Sequence, residues 1–227
     1  MYTLYIGNKN YSSWSLRPWI LLTQLGIPFA EQLVPFDDGG SWQKYRAFSP
    51  TGQVPCLHDQ DTVVWDSMAI IEYLAETHPE VWPADRAVRA WARAATAEMH
   101  AGFSALRNQC PMSVASRIKP YRITDALQKD LDRISELWGE GLQRFGGEFL
   151  AGETFTAADA FYCPVAFRIQ GWHLQLDSAA AAYSERLLNL SGMQAWTRDA
   201  LAEPYREPSH EAEFAALGEI VADLRPT

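Results

Sequence analysis

Apolar side chains alternate with polar ones over Tyr2-Thr3-Leu4-Tyr5-Ile6, and Gly7-Asn8 follows at once, which predicts a short strand and its turn. The apolar cluster Trp19-Ile20-Leu21-Leu22 with Leu25 has helical spacing. Pro18 suits only the first turn of that helix, because proline has no amide to give to a later turn. Gly26-Ile27-Pro28 ends it, and Phe29 to Pro35 reads as a second strand. A short helix is predicted over Ser41 to Phe48. Val54 to His58 and Thr62 to Trp65 read as two strands joined by a turn at Asp59-Gln60-Asp61. Asp66-Ser67 then caps a helix from Met68 to Thr77, with Ile70, Ile71 and Leu74 on its apolar face. The order β-α-β-α-β-β-α suits a small mixed sheet with helices on its faces.

The pattern changes near residue 80. His78 to Ala84 reads as a linker, and the remainder of the chain has helical periodicity. Helices are predicted from Asp85 to about Asn108, from about Arg117 to Arg144 and from Thr156 to about Gln170. Shorter ones come next over Ala180 to Leu188 and Met193 to Ala202, and a spacer at Pro204 to Pro208 leads to a terminal helix over Glu211 to Leu224. The chain therefore divides into an α/β unit over residues 1–80 and an all-helical unit over 85–227, with no internal repeat.

Composition narrows the chemistry. With 227 residues, 48% of them apolar and 21% charged, the chain can bury a substantial core and is not a disordered sequence. A formal net charge of −9 argues against nucleic acid as a partner but leaves room for a small anion held by a local donor cluster. No apolar run approaches the ~18 residues of a membrane span, and no basic leader opens the sequence, so neither a membrane nor an export route is expected. The three cysteines, Cys56, Cys110 and Cys163, have no metal-ligand spacing, so no metal is expected and a reducing cytoplasm is the simpler home. Neither a Gly-x-Gly-x-x-Gly nor a phosphate-loop motif is present.

Four short segments carry candidate chemistry. Ser12-Ser13-Trp14-Ser15-Leu16-Arg17 sits between the first strand and the first helix, where a serine either caps the helix or offers a hydroxyl to a ligand. Gln53-Val54-Pro55 opens a strand, and Asp66-Ser67 opens a helix. Thr156-Ala157-Ala158-Asp159 has the spacing of a capping box, with Asp in place of Glu. In this order, and spread over both units, the segments resemble the cytosolic glutathione S-transferase superfamily, most nearly its zeta-like and bacterial serine-type members, and Ser12 to Arg17 is similar to the Ser-Ser-Cys-x-x-Arg signature of the zeta class.

The resemblance implies an α/β thioredoxin-like N-terminal domain plus an all-α C-terminal domain, the glutathione S-transferase fold, with glutathione as co-substrate. It implies that Ser12 donates to the glutathione sulfur, with Ser13 one residue away as the other candidate. The task is to favour thiolate over a thiol whose free pKa is about 8.5; a hydrogen bond to the anion and the positive end of the following helix both do so. Trp14 stands where the signature has cysteine, which departs from the isomerase pattern of the zeta class and places an indole on the sulfur side of the pocket. Pro55 resembles the superfamily's cis-proline, presenting the Val54 N–H and C=O to the cysteinyl backbone of glutathione as an added strand would, with Gln53 nearby. Ser67, at a helix N-terminus, would meet the γ-glutamyl carboxylate and Asp66 its ammonium. Lys44 and Gln43 are candidates for the glycyl carboxylate. His100, Phe103, Leu106 and Arg107 share a helix face that would meet the electrophile or pack in the core. The implied function is a glutathione transferase that activates the thiol as thiolate for attack on a small electrophile. The alternatives are a glutathione-dependent isomerase or dehalogenase, and a non-catalytic glutathione-binding interaction protein. A homodimer is implied as well.

Overall fold

The computed structural model describes residues 1–37 and 40–226. Its first half runs β1 (Tyr2–Ile6), α1 (Ser13–Gln24), β2 (Phe29–Leu33), α2 (Trp42–Tyr45), β3 (Cys56–Asp59), β4 (Thr62–Trp65) and α3 (Ser67–Ala75). The sheet order is β2-β1-β3-β4, with β1 parallel to β2 and β3 antiparallel to both β1 and β4. The parallel pair requires a crossover, which α1 supplies. The register sets Leu4 between Glu31 and Leu57, and Leu4, Ile6 and Leu57 are fully buried.

Helix α1 begins at Ser13, well before Pro18, which stands in its interior. An interior proline forfeits one hydrogen bond and costs about 3 kcal/mol. The helix tolerates it because nearly all of its length is buried, including Leu16, Trp19, Ile20, Leu21 and Leu22. Each such apolar side chain contributes about 1.5–3 kcal/mol on burial, enough to offset the loss.

A 3-10 turn at Pro79–Val81 leads into the second half, which comprises α4 (Arg86–Ala101), α5 (Ser104–Gln109), β5 (Ser116–Pro120), α6 (Asp125–Phe145), α7 (Ala157–Gly171), α8 (Ser178–Leu188), α9 (Ser191–Ala202), α10 (Pro208–Leu217) and β6 (Gly218–Asp223). It is helical apart from one antiparallel ribbon, β5 with β6, which the periodicity did not indicate. The helix expected from Arg117 starts instead at Asp125, behind its cap Thr124. The terminal helix expected to reach Leu224 stops at Leu217, and Gly218 turns the chain into β6. The helix expected over Asp85 to Asn108 is interrupted at Gly102 and Phe103, the latter left-handed at φ 53° and ψ 43° with its ring buried. That break interrupts the helical spacing, so the face expected to join His100 to Arg107 is not continuous.

The centre of the second half is α7, buried over almost its whole length and packed against α1, α4 and α8. Its capping box is formed: the Asp159 carboxylate accepts from Thr156 N at 2.8 Å, Thr156 Oγ1 at 3.0 Å, Leu150 N at 2.9 Å and Tyr183 Oη at 2.7 Å. Burial nevertheless pushes this acid above the usual carboxylate range, against those four hydrogen bonds. One continuous hydrophobic core joins the two halves through α1, which packs on α7 and α9.

Candidate functional site

The strand directions bring four chain segments to one end of the sheet. β1 and β2 end there, β3 begins there and β4 ends there. Trp65 to Ser67 after β4, Gln53 to Pro55 before β3, Tyr11 to Trp14 after β1 and Phe36 after β2 therefore stand in the lateral order of the strands. All of them line one cavity of about 990 Å³, closed from the helical half by Arg107, Pro111, Met112, Arg168 and the start of α10.

At the β4 end, Asp66 caps α3, accepting from Met68 N at 2.8 Å. Its backbone lies at φ 72° and ψ 134°, a conformation that costs a non-glycine residue about 1–3 kcal/mol and collects at ligand clamps. The other oxygen of this carboxylate is 3.5 Å from His100 Nε2. Burial, together with Arg17 and Arg107, holds His100 below the usual imidazole range despite Asp66. Ser67 is 1% exposed, and its hydroxyl has no hydrogen-bond partner among the described residues. A buried, unpaired hydroxyl at the positive end of a helix, on a cavity wall, is a site that an anion satisfies. Beside it the Val54–Pro55 peptide bond is cis, and Gln53 and Val54 line the cavity.

At the β1 end the two serines have different surroundings. Ser12 is the cap of α1: its hydroxyl donates to Ser15 Oγ at 2.7 Å and accepts, weakly, from Ser15 N at 3.4 Å. Ser15 Oγ in turn accepts from Gly7 N at 3.1 Å. Ser13 is the first helical residue, and its oxygen accepts from Arg168 Nη2 at 3.3 Å, leaving its own proton uncommitted. Both serines line the cavity.

Trp14 has two guanidinium groups near its ring, Arg17 at 4.1 Å and Arg107 at 5.3 Å from a ring centroid, with His100 edge-on at 5.4 Å. Arg17 is 1% exposed, and its Nε and Nη1 have no partner among the described residues. Burial, then the neighbouring Arg168 and Arg107, push it down to about 9. Arg168 is pushed down to about 10 by burial and by Arg107. It donates to the Cys110 carbonyl at 3.0 Å besides Ser13. None of these three arginines forms a salt bridge among the described residues. The concentration of unneutralised positive charge beside Ser13 favours a bound anion.

The glycyl-carboxylate candidates do not reach the site. Lys44 Nζ binds Asp37 at 3.1 Å and the Pro35 carbonyl at 3.0 Å, and neither Lys44 nor Gln43 lines the cavity. The short α2 turns Ser41, Trp42 and Tyr45 inward instead. Of the residues expected to share the electrophile face, Arg107 lines the cavity, whereas Phe103 and Leu106 are core. The sequence reading missed Arg168, Tyr11, Phe36 and the group Glu207, Ser209, His210 and Glu213. The available signal was the acid before Pro208: Glu207 is the cap of α10, accepting from His210 N at 2.7 Å.

Comparison with known proteins agrees with this geometry. Residues 11–77 match the glutathione S-transferase N-terminal domain and residues 120–191 the glutathione S-transferase C-terminal domain. The chain is 30% identical over 168 residues to glutathione S-transferase Z2 of Arabidopsis thaliana, covering 69% of this chain and 74% of that one. It is 26% identical over 220 residues to maleylacetoacetate isomerase of Rattus norvegicus, covering 93% and 96%. A Burkholderia glutathione transferase homologue, solved with bound glutathione, superposes with a TM-score of 0.63 at 22% identity, covering 88% of this chain and 97% of that one. A Rhodospirillum rubrum glutathione S-transferase gives 0.66 at 20% identity, covering 94% and 99%. The chain belongs to the glutathione S-transferase family, enzymes that take glutathione as co-substrate. No helix among the described residues is long and apolar enough to cross a membrane.

Proposed function

We propose that this enzyme ionises the thiol of glutathione and uses the thiolate on a small unsaturated electrophile bearing a carboxylate, adding to it and then leaving it in a new double-bond geometry. The observation that carries this reading is the row along the sheet end, with Ser67, Val54 and Ser13 on one cavity wall in the order of strands β4, β3 and β1. That row matches the carboxylate, peptide and sulfur of one tripeptide. Ser67, helped by Asp66, receives the γ-glutamyl group, while Val54 and Gln53 align the cysteinyl backbone. The thiol proton leaves to solvent, Ser13 donates its uncommitted O–H as a hydrogen bond to the resulting thiolate sulfur, and Arg168 polarises that hydroxyl. Ser12 keeps the helix start rigid. In the reaction a carbon–sulfur bond forms as the π electrons move toward the electrophile's carbonyl. Rotation follows, and expulsion of the thiolate restores the double bond. Arg107 and Arg168 supply positive charge for the substrate's carboxylate.

The isomerase relatives that align over nearly the whole chain favour this reading over simple transfer. A second reading, in which the thioether is the product, draws on Trp14, which replaces the signature cysteine. Counting glutathione consumed per turnover of an unsaturated dicarboxylate separates the two: none for isomerisation, one for transfer. The activation step is tested by titrating the ultraviolet absorbance of bound thiolate. The wild type should ionise the thiol at least about one unit below its free value. Ser13→Ala should lose most of that shift, and Ser12→Ala should keep it. If Ser12→Ala alone abolishes the shift, the roles of the two serines are exchanged.

The same proposal includes the division into a glutathione-binding unit over 1–80 and an electrophile-binding unit over 85–227, and a homodimer. Sedimentation equilibrium tests the dimer: its mass should be twice the 25.5 kDa of one chain.

A further inference from the structure

We propose that His210, contributed by α10 and oriented by Glu207, is the residue that binds the outer, glycyl carboxylate of glutathione. The inference rests on the glutathione reading above. At the sheet end the segments follow one another at the strand spacing of about 4.8 Å. A tripeptide with its γ-glutamyl group at Ser67 and its sulfur at Ser13 has already passed β4, β3 and β1. Its last residue must then lie at the β2 end, where Phe36 stands.

Among the described residues, the segment after β2 supplies no uncommitted cation there: Lys44 does not line the cavity, and its ammonium is held by the Pro35 carbonyl and by Asp37, which does line it. What stands there instead is an imidazole. The His210 ring stacks on Tyr11 at 5.0 Å and 26° and on Phe36 at 5.5 Å and 22°. Both supports are themselves fixed. Phe36 lies so close over Gly7 that a Cβ at that glycine would be 2.7 Å from its Cζ. The Tyr11 hydroxyl donates to Glu211 and accepts from Arg225 Nη1 at 2.8 Å.

His210 Nδ1 lies 2.5 Å from Glu207 Oε2. The Glu207 carboxylate also accepts from His210 N and from Ser209 Oγ. Burial raises this acid, but those hydrogen bonds outweigh it and hold Glu207 below its usual range, ionised. An ionised carboxylate only accepts, so Nδ1 carries the proton. Nε2, on the opposite edge of the ring, has no partner among the described residues. The ring thus stacks on two aromatic side chains and has one nitrogen engaged, with Nε2 left over on a residue that lines the cavity. Once protonated it presents an N–H and a positive charge to a carboxylate.

The test compares the affinity of glutathione with that of its glycyl amide, which lacks the outer charge, by calorimetry on the full chain. The wild type should bind glutathione about tenfold more tightly than the amide, the scale of one charge-assisted hydrogen bond. His210→Phe keeps the stack and removes the donor, so it should bring that ratio to about one without weakening the amide. His210→Gln, which restores a donor near Nε2, should recover part of it. A wild-type ratio retained in His210→Phe overturns the proposal. So does a variant that keeps the ratio but shifts the ionisation of the bound thiol, which would make His210 a proton acceptor instead. A wild type that binds neither ligand overturns the glutathione reading, and this assignment with it.

Discussion

Arg17 lies between the faces of Trp14 and Phe161, its guanidinium 4.1 Å and 4.6 Å from the ring centroids, with no acid in contact. Aromatic faces return part of the hydration it has lost, but two of its nitrogens remain unpaired. A well-packed apolar residue there should be the more stable choice. Arg17→Met is expected to raise the stability at pH 7 by about 1 kcal/mol or more, read from urea midpoints. The pH dependence has a definite sign. The folded chain holds this group down at about 9, well below the ordinary guanidinium range, so its charged form is penalised by folding. That penalty is fully present below about pH 9 and is relieved as pH rises from there, where the unfolded chain binds the proton that the folded one has released. The advantage of Arg17→Met should therefore narrow above pH 9. A midpoint that falls at pH 7 would show that the guanidinium is satisfied as it stands. Arg17 stacks on Trp14, which lines the cavity, and the same variant is expected to raise the ionisation pH of bound thiol, read from its ultraviolet absorbance.

At the scale of elements, α7 depends on its first turn. Asp159 ties the turn to Leu150 before it and to Tyr183 on α8, so Asp159→Ala strands several buried donors as well as the cap. A loss of about 3 kcal/mol is expected, against about 1 kcal/mol for Thr156→Ala, from chemical denaturation of both variants. This box was legible in the sequence because both partners are local, three residues apart. The strands and helices of the first half were legible for a similar reason: Leu4 and Ile6 in β1, and Ile70, Ile71 and Leu74 in α3, follow the period of their own element. The misread elements answer to distant partners. Ser116 to Pro120 becomes a strand only because β6 pairs with it from about a hundred residues away. Phe103 is left-handed because its ring is taken into the core, and Pro18 is accepted inside α1 because both sides of that helix are covered. That Ser12, Ser13, Val54 and Ser67 come to one cavity wall could be read, since each sits at an element boundary, but which serine has a free hydroxyl could not. Arg168 and His210 could not, as only folding brings α7 and α10 to the sheet end.

For the whole molecule, the continuous core between the halves predicts cooperative behaviour. Helix α1 belongs in sequence to the first half, yet it packs on α7 and α9 of the second. Calorimetry should accordingly give one unfolding transition; two resolved transitions would show that the halves are energetically independent. The cavity also combines groups from both halves, which gives the protein an optical property of its own. Of its nine tryptophans, Trp14, Trp42 and Trp65 stand on the cavity wall, the last two 59% and 43% exposed, while Trp138, Trp172 and Trp196 are sealed in the core. A small neutral quencher such as acrylamide should reach the first group and spare the second, so the emission divides into an accessible and a silent fraction. Occupying the cavity should shrink the accessible fraction, and Trp14, with two guanidinium groups near its ring, should change colour as well as brightness when an anion settles beside it. The native indoles thus make this chain its own fluorescent gauge of occupancy, with no label attached.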